Sequence, residues 1–180
     1  RVLFVTPSIG IALYPSDGEN FPALMRNADT AMYSAKSSGG GTYHFFTKTM
    51  NESAMARLVI ENDLREALEK DEFELHYQPK VDLRTNKVCG LEALIRWKQP
   101  GRGYISPMQF IPVAEETGLI GKIGEWVFRE VCRQISQWDE QSIPATPIAI
   151  NLSPRQLIEG RITETISRIL AEANTPAARI

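Results

Sequence analysis

Hydrophobic positions along the chain switch between two periods. Residues 2–14 are rich in Val, Ile and Phe and end at Pro15-Ser16-Asp17-Gly18, which reads as a strand followed by turn chemistry. Leu24, Ala28, Ala31, Met32 and Ala35 then recur at helical spacing, and Gly39-Gly40-Gly41 ends that stripe. Residues 42–46 suit a short strand. From about 51 to 70 the chain is charged and free of glycine, with Leu58, Leu64 and Leu68 at roughly helical spacing, so a connecting helix is predicted.

A second regime follows. Strands are predicted over 73–82 and 87–97, joined by a turn at Arg84-Thr85-Asn86, and Pro100-Gly101-Arg102-Gly103 breaks the second one. Ser106-Pro107-Met108-Gln109 and Ser153-Pro154-Arg155-Gln156 each combine a capping serine, a proline in the first turn and a Gln three residues on, so they predict helix starts built on one device. Behind the first come a short helix ending at Gly118 and a longer one with Ile123, Trp126, Val127, Val131, Ile135 and Trp138 on one side. Behind the second, Ile162, Ile166, Ile169 and Leu170 form another stripe, and a short apolar strand, 148–152, lies between the two helical regions. Strands alternating with helices imply an α/β fold with a largely parallel sheet and sites at the C-terminal ends of its strands.

Composition adds exclusions. A formal charge of −2 over 180 residues gives no basic field for a nucleic acid polymer, so any phosphate recognition must be local. Cys89 and Cys132 lie far apart, and neither His44 nor His76 has a partner at ligand spacing, which argues against thiolate or zinc sites. With no apolar run approaching the roughly 18 residues of a membrane span, no membrane contact is expected from this segment, and a reduced, cytoplasmic setting is the default. The chain opens without Met and stops where a further strand is expected, so it reads as part of a longer polypeptide, which upstream segments could anchor to a membrane.

Strand alternation indicates where chemistry would sit. In 88–97 the apolar set Cys89, Leu91, Ala93, Ile95 and Trp97 shares one face, leaving Glu92, Leu94 and Arg96 on the other. Glu74, His76, Gln78 and Lys80 share a face of the preceding strand, and Asn151 and Ser153 lie opposite Ile148, Ile150 and Leu152. A solvated face or a structural ion pair would explain such charges, and Asn151 could be a capping residue. Glu and Asn are also hard oxygen donors of the kind Mg²⁺ prefers beside a phosphate substrate.

Four segments carry a more specific resemblance: Tyr77-Gln78-Pro79, then Gly90-Leu91-Glu92-Ala93-Leu94-Ile95-Arg96-Trp97, then Phe110-Ile111-Pro112-Val113-Ala114-Glu115-Glu116-Thr117-Gly118, then Asn151-Leu152-Ser153. In this order they resemble the signature segments of EAL-domain cyclic di-GMP phosphodiesterases. Val5-Thr6-Pro7-Ser8-Ile9-Gly10-Ile11-Ala12 and Ala28-Asp29-Thr30-Ala31-Met32-Tyr33-Ser34-Ala35-Lys36 resemble the end of a GGDEF diguanylate cyclase domain. There Gly39-Gly40-Gly41-Thr42 stands in place of the usual Gly-Arg-Asn, so no cyclase site is assigned.

The resemblance implies a partial TIM-like (β/α) barrel of the EAL type, preceded by the strand-helix-strand tail of a cyclase-like α/β domain. The expected division is residues 1–48 for the GGDEF tail, 49–70 for the connecting helix and 71–180 for the first part of the EAL domain. It implies Glu92 and Asn151 as ligands of Mg²⁺ or Mn²⁺, Arg96 as a holder of a substrate phosphate, and Gln78 and Leu94 as contacts to the nucleotide. The implied reaction is hydrolysis of one phosphodiester of cyclic di-GMP to linear pGpG. The family's general base and remaining metal ligands are expected beyond Ile180, so the chain by itself is expected to be inactive, and any homodimer would form through parts beyond it. Glu115 and Glu116, just before the helix-ending Thr117-Gly118, are read as facing solvent, although the resemblance implies that the segment around Phe110-Ile111-Pro112 borders the nucleotide pocket. Two alternatives stand: a non-catalytic cyclic di-GMP receptor on the same fold, and an unrelated α/β-barrel enzyme.

Overall fold

The computed structural model describes residues 6–158 and 160–180. It divides into two compact units, with the division after Val59.

The first unit is a β-α-β arrangement. Strand β1 (Ile9–Ile11) pairs in parallel with β2 (Tyr43–Phe45), and helix α1 (Phe21–Ser37) connects them. Asn20 caps α1, its Oδ1 accepting from the Ala23 N–H at 3.0 Å, and Pro22 occupies the first turn, where its missing N–H costs nothing. Ala31 and Ala35, on the predicted stripe, are fully buried. Gly39, Gly40 and Gly41 all have positive φ, so the chain leaves the helix through conformations that glycine adopts without strain. Among the described residues of the predicted opening strand, only 9–11 are in a strand. Residues 2–5 of that prediction lie outside the described residues.

Helix α2 (Lys48–Ala67) contains the division between the units. In the second unit β3 (Phe73–Asp82) and β4 (Lys87–Gln99) form a long antiparallel hairpin. Asp82 shapes its turn: Oδ1 accepts from the N–H groups of Arg84 (2.8 Å) and Thr85 (3.3 Å), and Asn86 takes a positive φ of 52°. Strand β5 (Gly103–Ile105) folds back antiparallel on the end of β4, and β6 (Ile148–Ile150) pairs parallel with β4 at residues 91–93. The expectation of a largely parallel sheet is therefore corrected for this unit, since among its described strands β4 with β6 is parallel and the other pairs are antiparallel. A connection as short as that between β3 and β4 allows only an antiparallel return, because a parallel one needs a crossover of a dozen or more residues.

Helices α3 (Pro107–Thr117), α4 (Ile120–Glu140), α5 (Pro154–Ile158) and α6 (Ile162–Glu172) and a 3-10 turn, Ala177–Arg179, complete the unit. The apolar face of the hairpin, with Phe73, Ala93 and Trp97, joins Ile148 and the α4 stripe Ile123, Val127, Val131 and Ile135 in one core. Phe73 lies 5.9 Å from the rings of Trp97 and Phe110, and Trp97 meets Phe110 edge-on at 5.5 Å. Such pairs add about 0.5–1.5 kcal/mol each to ordinary burial. The Trp97 indole N–H is satisfied by Glu72 at 3.0 Å. On another side of α4, Phe128 and Cys132 enclose Ile169 of α6, with Ile166 and Leu170 beside them. Among the described residues, no helix is long and apolar enough to cross a membrane.

Candidate functional site

Register puts the site together. Gln78 is directly opposite Glu92 across the β3–β4 hairpin, and Glu92 is paired with Ala149 of β6. Paired residues share a face, and alternation along the next strand returns to that face at Asn151, two residues beyond Ala149. Ile148 and Ile150 take the other face, where Ile148 is fully buried. The outcome is direct contact: Asn151 Nδ2 donates to Glu92 Oε1 at 2.8 Å. Lys80, further along the same face of β3, brings its Nζ to 3.7 Å from Glu92 Oε2.

Arg96 is reached by two further steps along β4. Glu74 lies opposite it in register, yet Glu74 is engaged elsewhere: its Oε1 accepts from the Tyr104 hydroxyl at 2.6 Å and lies 2.7 Å from His76 Nε2. These two contacts, Tyr104 first and His76 second, hold the Glu74 carboxyl below the usual carboxylate range. The Arg96 guanidinium donates to the Ile95 carbonyl at 2.9 Å. A half-buried guanidinium with one N–H on a main-chain carbonyl keeps further donors for an anion.

Next to these groups is a cavity of about 300 Å³, lined by Leu94, Arg96, Glu115 and Asn151 together with apolar residues including Ile111 and Ile150. Its lining takes in residues 93–96 of β4 and the segment from Ile150, the last residue of β6, to Pro154, and Gln78 and Glu92 lie outside it. Of the five residues proposed from sequence, Leu94, Arg96 and Asn151 line the cavity, Glu92 joins it through Asn151, and Gln78 is exposed opposite Glu92. The donor set suits a hard divalent cation: a carboxylate and an amide meet side by side, and turning the amide over offers its oxygen in place of its nitrogen. Among the described residues, no group of three His, Cys, Asp or Glu is gathered at one point.

Glu115 corrects one expectation. It does not simply face solvent; it lines the cavity, half-buried, and accepts from the Ser153 hydroxyl at 2.6 Å. The resemblance sets this segment beside the nucleotide pocket, but the Ser153 partner, 38 positions away at another helix start, has no signal in the sequence. The two Ser-Pro starts also differ. Ser106 makes no side-chain cap bond, whereas the Ser153 N–H donates to Gln156 Oε1 at 2.9 Å and Ser153 Oγ accepts from the Arg155 N–H at 3.2 Å.

The EAL domain family model matches residues 61–180, and the model for the diguanylate cyclase GGDEF domain matches residues 1–42. The bifunctional diguanylate cyclase/cyclic di-GMP phosphodiesterase MucR of Pseudomonas aeruginosa is 46% identical over 166 residues, covering 92% of this chain and 24% of MucR. The cyclic di-GMP phosphodiesterase PdeR of Escherichia coli is 43% identical over 172 residues, covering 96% of this chain and 26% of PdeR. This chain thus spans about a quarter of the length of these curated relatives. A solved PaMucR phosphodiesterase–c-di-GMP complex superposes with a TM-score of 0.60 at 43% identity, over 64% of this chain and 47% of that one. The Xanthomonas citri FimX EAL domain in complex with c-diGMP gives 0.59 at 28% identity, over 72% and 49%. With its model covering residues 61–180, behind a segment that matches the GGDEF family, this chain belongs to the EAL-domain family.

Proposed function

We propose that the protein carrying this chain is a cytoplasmic phosphodiesterase that hydrolyses cyclic di-GMP to linear pGpG with Mg²⁺ or Mn²⁺. The observation that carries this is the meeting of Glu92 and Asn151 at 2.8 Å across two parallel strands, next to a cavity that Asn151 and Arg96 both line. The descriptions of MucR and PdeR as cyclic di-GMP phosphodiesterases support it.

In this reading Glu92 and Asn151 are the metal's oxygen ligands within the chain, and Lys80 partly offsets the carboxylate charge. Arg96 binds a phosphate of the nucleotide with its planar fork of N–H donors. Leu94 provides an apolar contact on the cavity wall, and Gln78 an amide at the rim. A divalent ion bound there lowers the pKa of water and offsets charge on the phosphoryl oxygens. The division of the chain that accompanies this reading is a GGDEF tail over 1–48, a connecting helix over 49–70 and the first part of the EAL domain over 71–180.

In the complete gene product, Glu92→Ala lowers Mg²⁺-dependent hydrolysis by more than about 100-fold, since even second-layer partners of metal ligands are worth 10–100-fold. Its melting temperature stays near wild type, because a half-exposed ligand leaves no core cavity. Arg96→Ala removes a charge-assisted contact of about 1.5–3 kcal/mol and raises KM roughly 10- to 100-fold. Turnover by Glu92→Ala at the wild-type rate would sink the reading. Tight binding of cyclic di-GMP without turnover by the wild-type protein would assign the receptor role instead.

A further inference from the structure

We infer that Glu115 is a positioning residue for Asn151, fastening the loop that carries Asn151 to the end of α3 and thereby setting metal affinity. The inference rests on the metal-ligand reading of Asn151. Residues 151–153 belong to neither strand nor helix, so β6 holds this segment from behind and something else must hold it in front. That hold is centred on Ser153. Its hydroxyl donates to Glu115 Oε1 at 2.6 Å, and Ser153 Oγ in turn accepts from the Arg155 N–H at 3.2 Å. The Arg155 guanidinium also bonds to the Glu115 main-chain carbonyl, so side chain and backbone of one residue grip both ends of a short turn.

Gln156 closes the arrangement from behind. Its Oε1 accepts from the Ser153 N–H, and its side chain is buried against Gly124 of α4, where an added Cβ would come within 2.1 Å of Nε2. The turn is thus seated between α3 and α4 as a rigid piece, with Asn151 two residues upstream. An amide ligand displaced by a fraction of an ångström loses its place beside Glu92, whereas Arg96, on β4, keeps its own. Loosening the clamp therefore weakens metal binding more than nucleotide binding, as partners that orient metal ligands generally do.

The test uses the complete gene product, with Mn²⁺ binding followed by electron paramagnetic resonance and kcat and KM for cyclic di-GMP at saturating Mn²⁺. Glu115→Ala and Ser153→Ala should each raise the Mn²⁺ dissociation constant roughly 10-fold or more, with little change in KM. Glu115→Gln should restore near-wild-type Mn²⁺ affinity, because its amide oxygen still accepts from the Ser153 hydroxyl. The double alanine variant should be no worse than the worse single one, since both remove one contact. Unchanged Mn²⁺ affinity in Ser153→Ala, or Glu115→Gln binding Mn²⁺ as weakly as Ser153→Ala, overturns the inference, and both readings hold even if Glu115→Ala fails to fold. Asn151→Ala separates the two levels: wild-type Mn²⁺ affinity there removes the ligand reading itself. Weakened affinity there beside normal affinity in Ser153→Ala removes only the clamp.

Discussion

Single side chains at this site are defined by what their neighbours already hold. Glu74 faces Arg96 in register and could neutralise it, but its carboxylate is taken by Tyr104 and His76. With its folded pKa depressed, Glu74 favours the folded state at pH values above the ordinary carboxyl range. That contribution fades as pH falls through the depressed folded value. The largest cause of the shift is the Tyr104 hydroxyl, so Tyr104→Phe should move the Glu74 carboxyl titration upward, as read by carbon-13 NMR. The melting-temperature difference between wild type and Tyr104→Phe should shrink as pH drops below about 4. A Glu74 titration identical in the two proteins would show that the phenol does not set it. Cys89 illustrates the reverse case: the alternation that assigns it to the apolar face ignores the irregularity at Lys80/Val81, and the thiol is exposed, bonded to the Lys80 carbonyl at 3.4 Å.

Elements form where pattern and geometry agree, and they change character where a short connection or a close approach decides. The hairpin of β3 and β4 is antiparallel because its link is a tight Asp-anchored turn, a constraint more local than any inference from strand-helix alternation. Strand β5 is too short for any period to reveal. In the first unit β1 lies against α1 only because residue 10 is glycine: a Cβ there would come within 1.9 Å of the Ala28 carbonyl and 2.2 Å of the Met32 nitrogen. Both are helix backbone, which cannot yield as a flexible side chain would. Gly10→Ala should therefore destabilise this unit by about 3 kcal/mol, the upper end of ordinary overpacking. Gly39→Ala, strained at its φ of 108° but with open space around it, should cost less. Equal denaturant midpoints for the two variants would refute the role given to the β1–α1 contact.

At the scale of the second unit, helices pack on the apolar side of the sheet, while on the polar side Gln78 and Lys80 are exposed and Glu92 half-buried. The α6 stripe is partly covered, with Ile169 fully buried against Phe128 and Cys132 of α4. Exposed apolar groups remain, including Leu83 and Ile158 at 95% and 83%. With no group of three His, Cys, Asp or Glu gathered among the described residues, the 180-residue chain alone should hydrolyse no cyclic di-GMP, and its exposed apolar groups should make it self-associate as concentration rises. Turnover assays and light scattering check this together. A monomer that melts cooperatively and turns over the nucleotide would overturn it.

Helix stripes, strand alternation and Ser-Pro helix starts were readable along the chain because each depends on residues close in sequence. The same locality let alternation place Glu92, Leu94 and Arg96 on one face and Asn151 opposite Ile150, while the resemblance to EAL-domain phosphodiesterases named the candidate residues one by one. What those residues meet was beyond local pattern. The Asn151 bond to Glu92 spans 59 positions, that of Ser153 to Glu115 spans 38, and that of Tyr104 to Glu74 spans 30. Such pairs are chosen by strand register and helix docking, which put distant residues within hydrogen-bond reach only after the core has closed. The chain alone determined the faces; tertiary structure decided that Glu74 leaves Arg96 its donors and that Glu115 holds the turn beside Asn151.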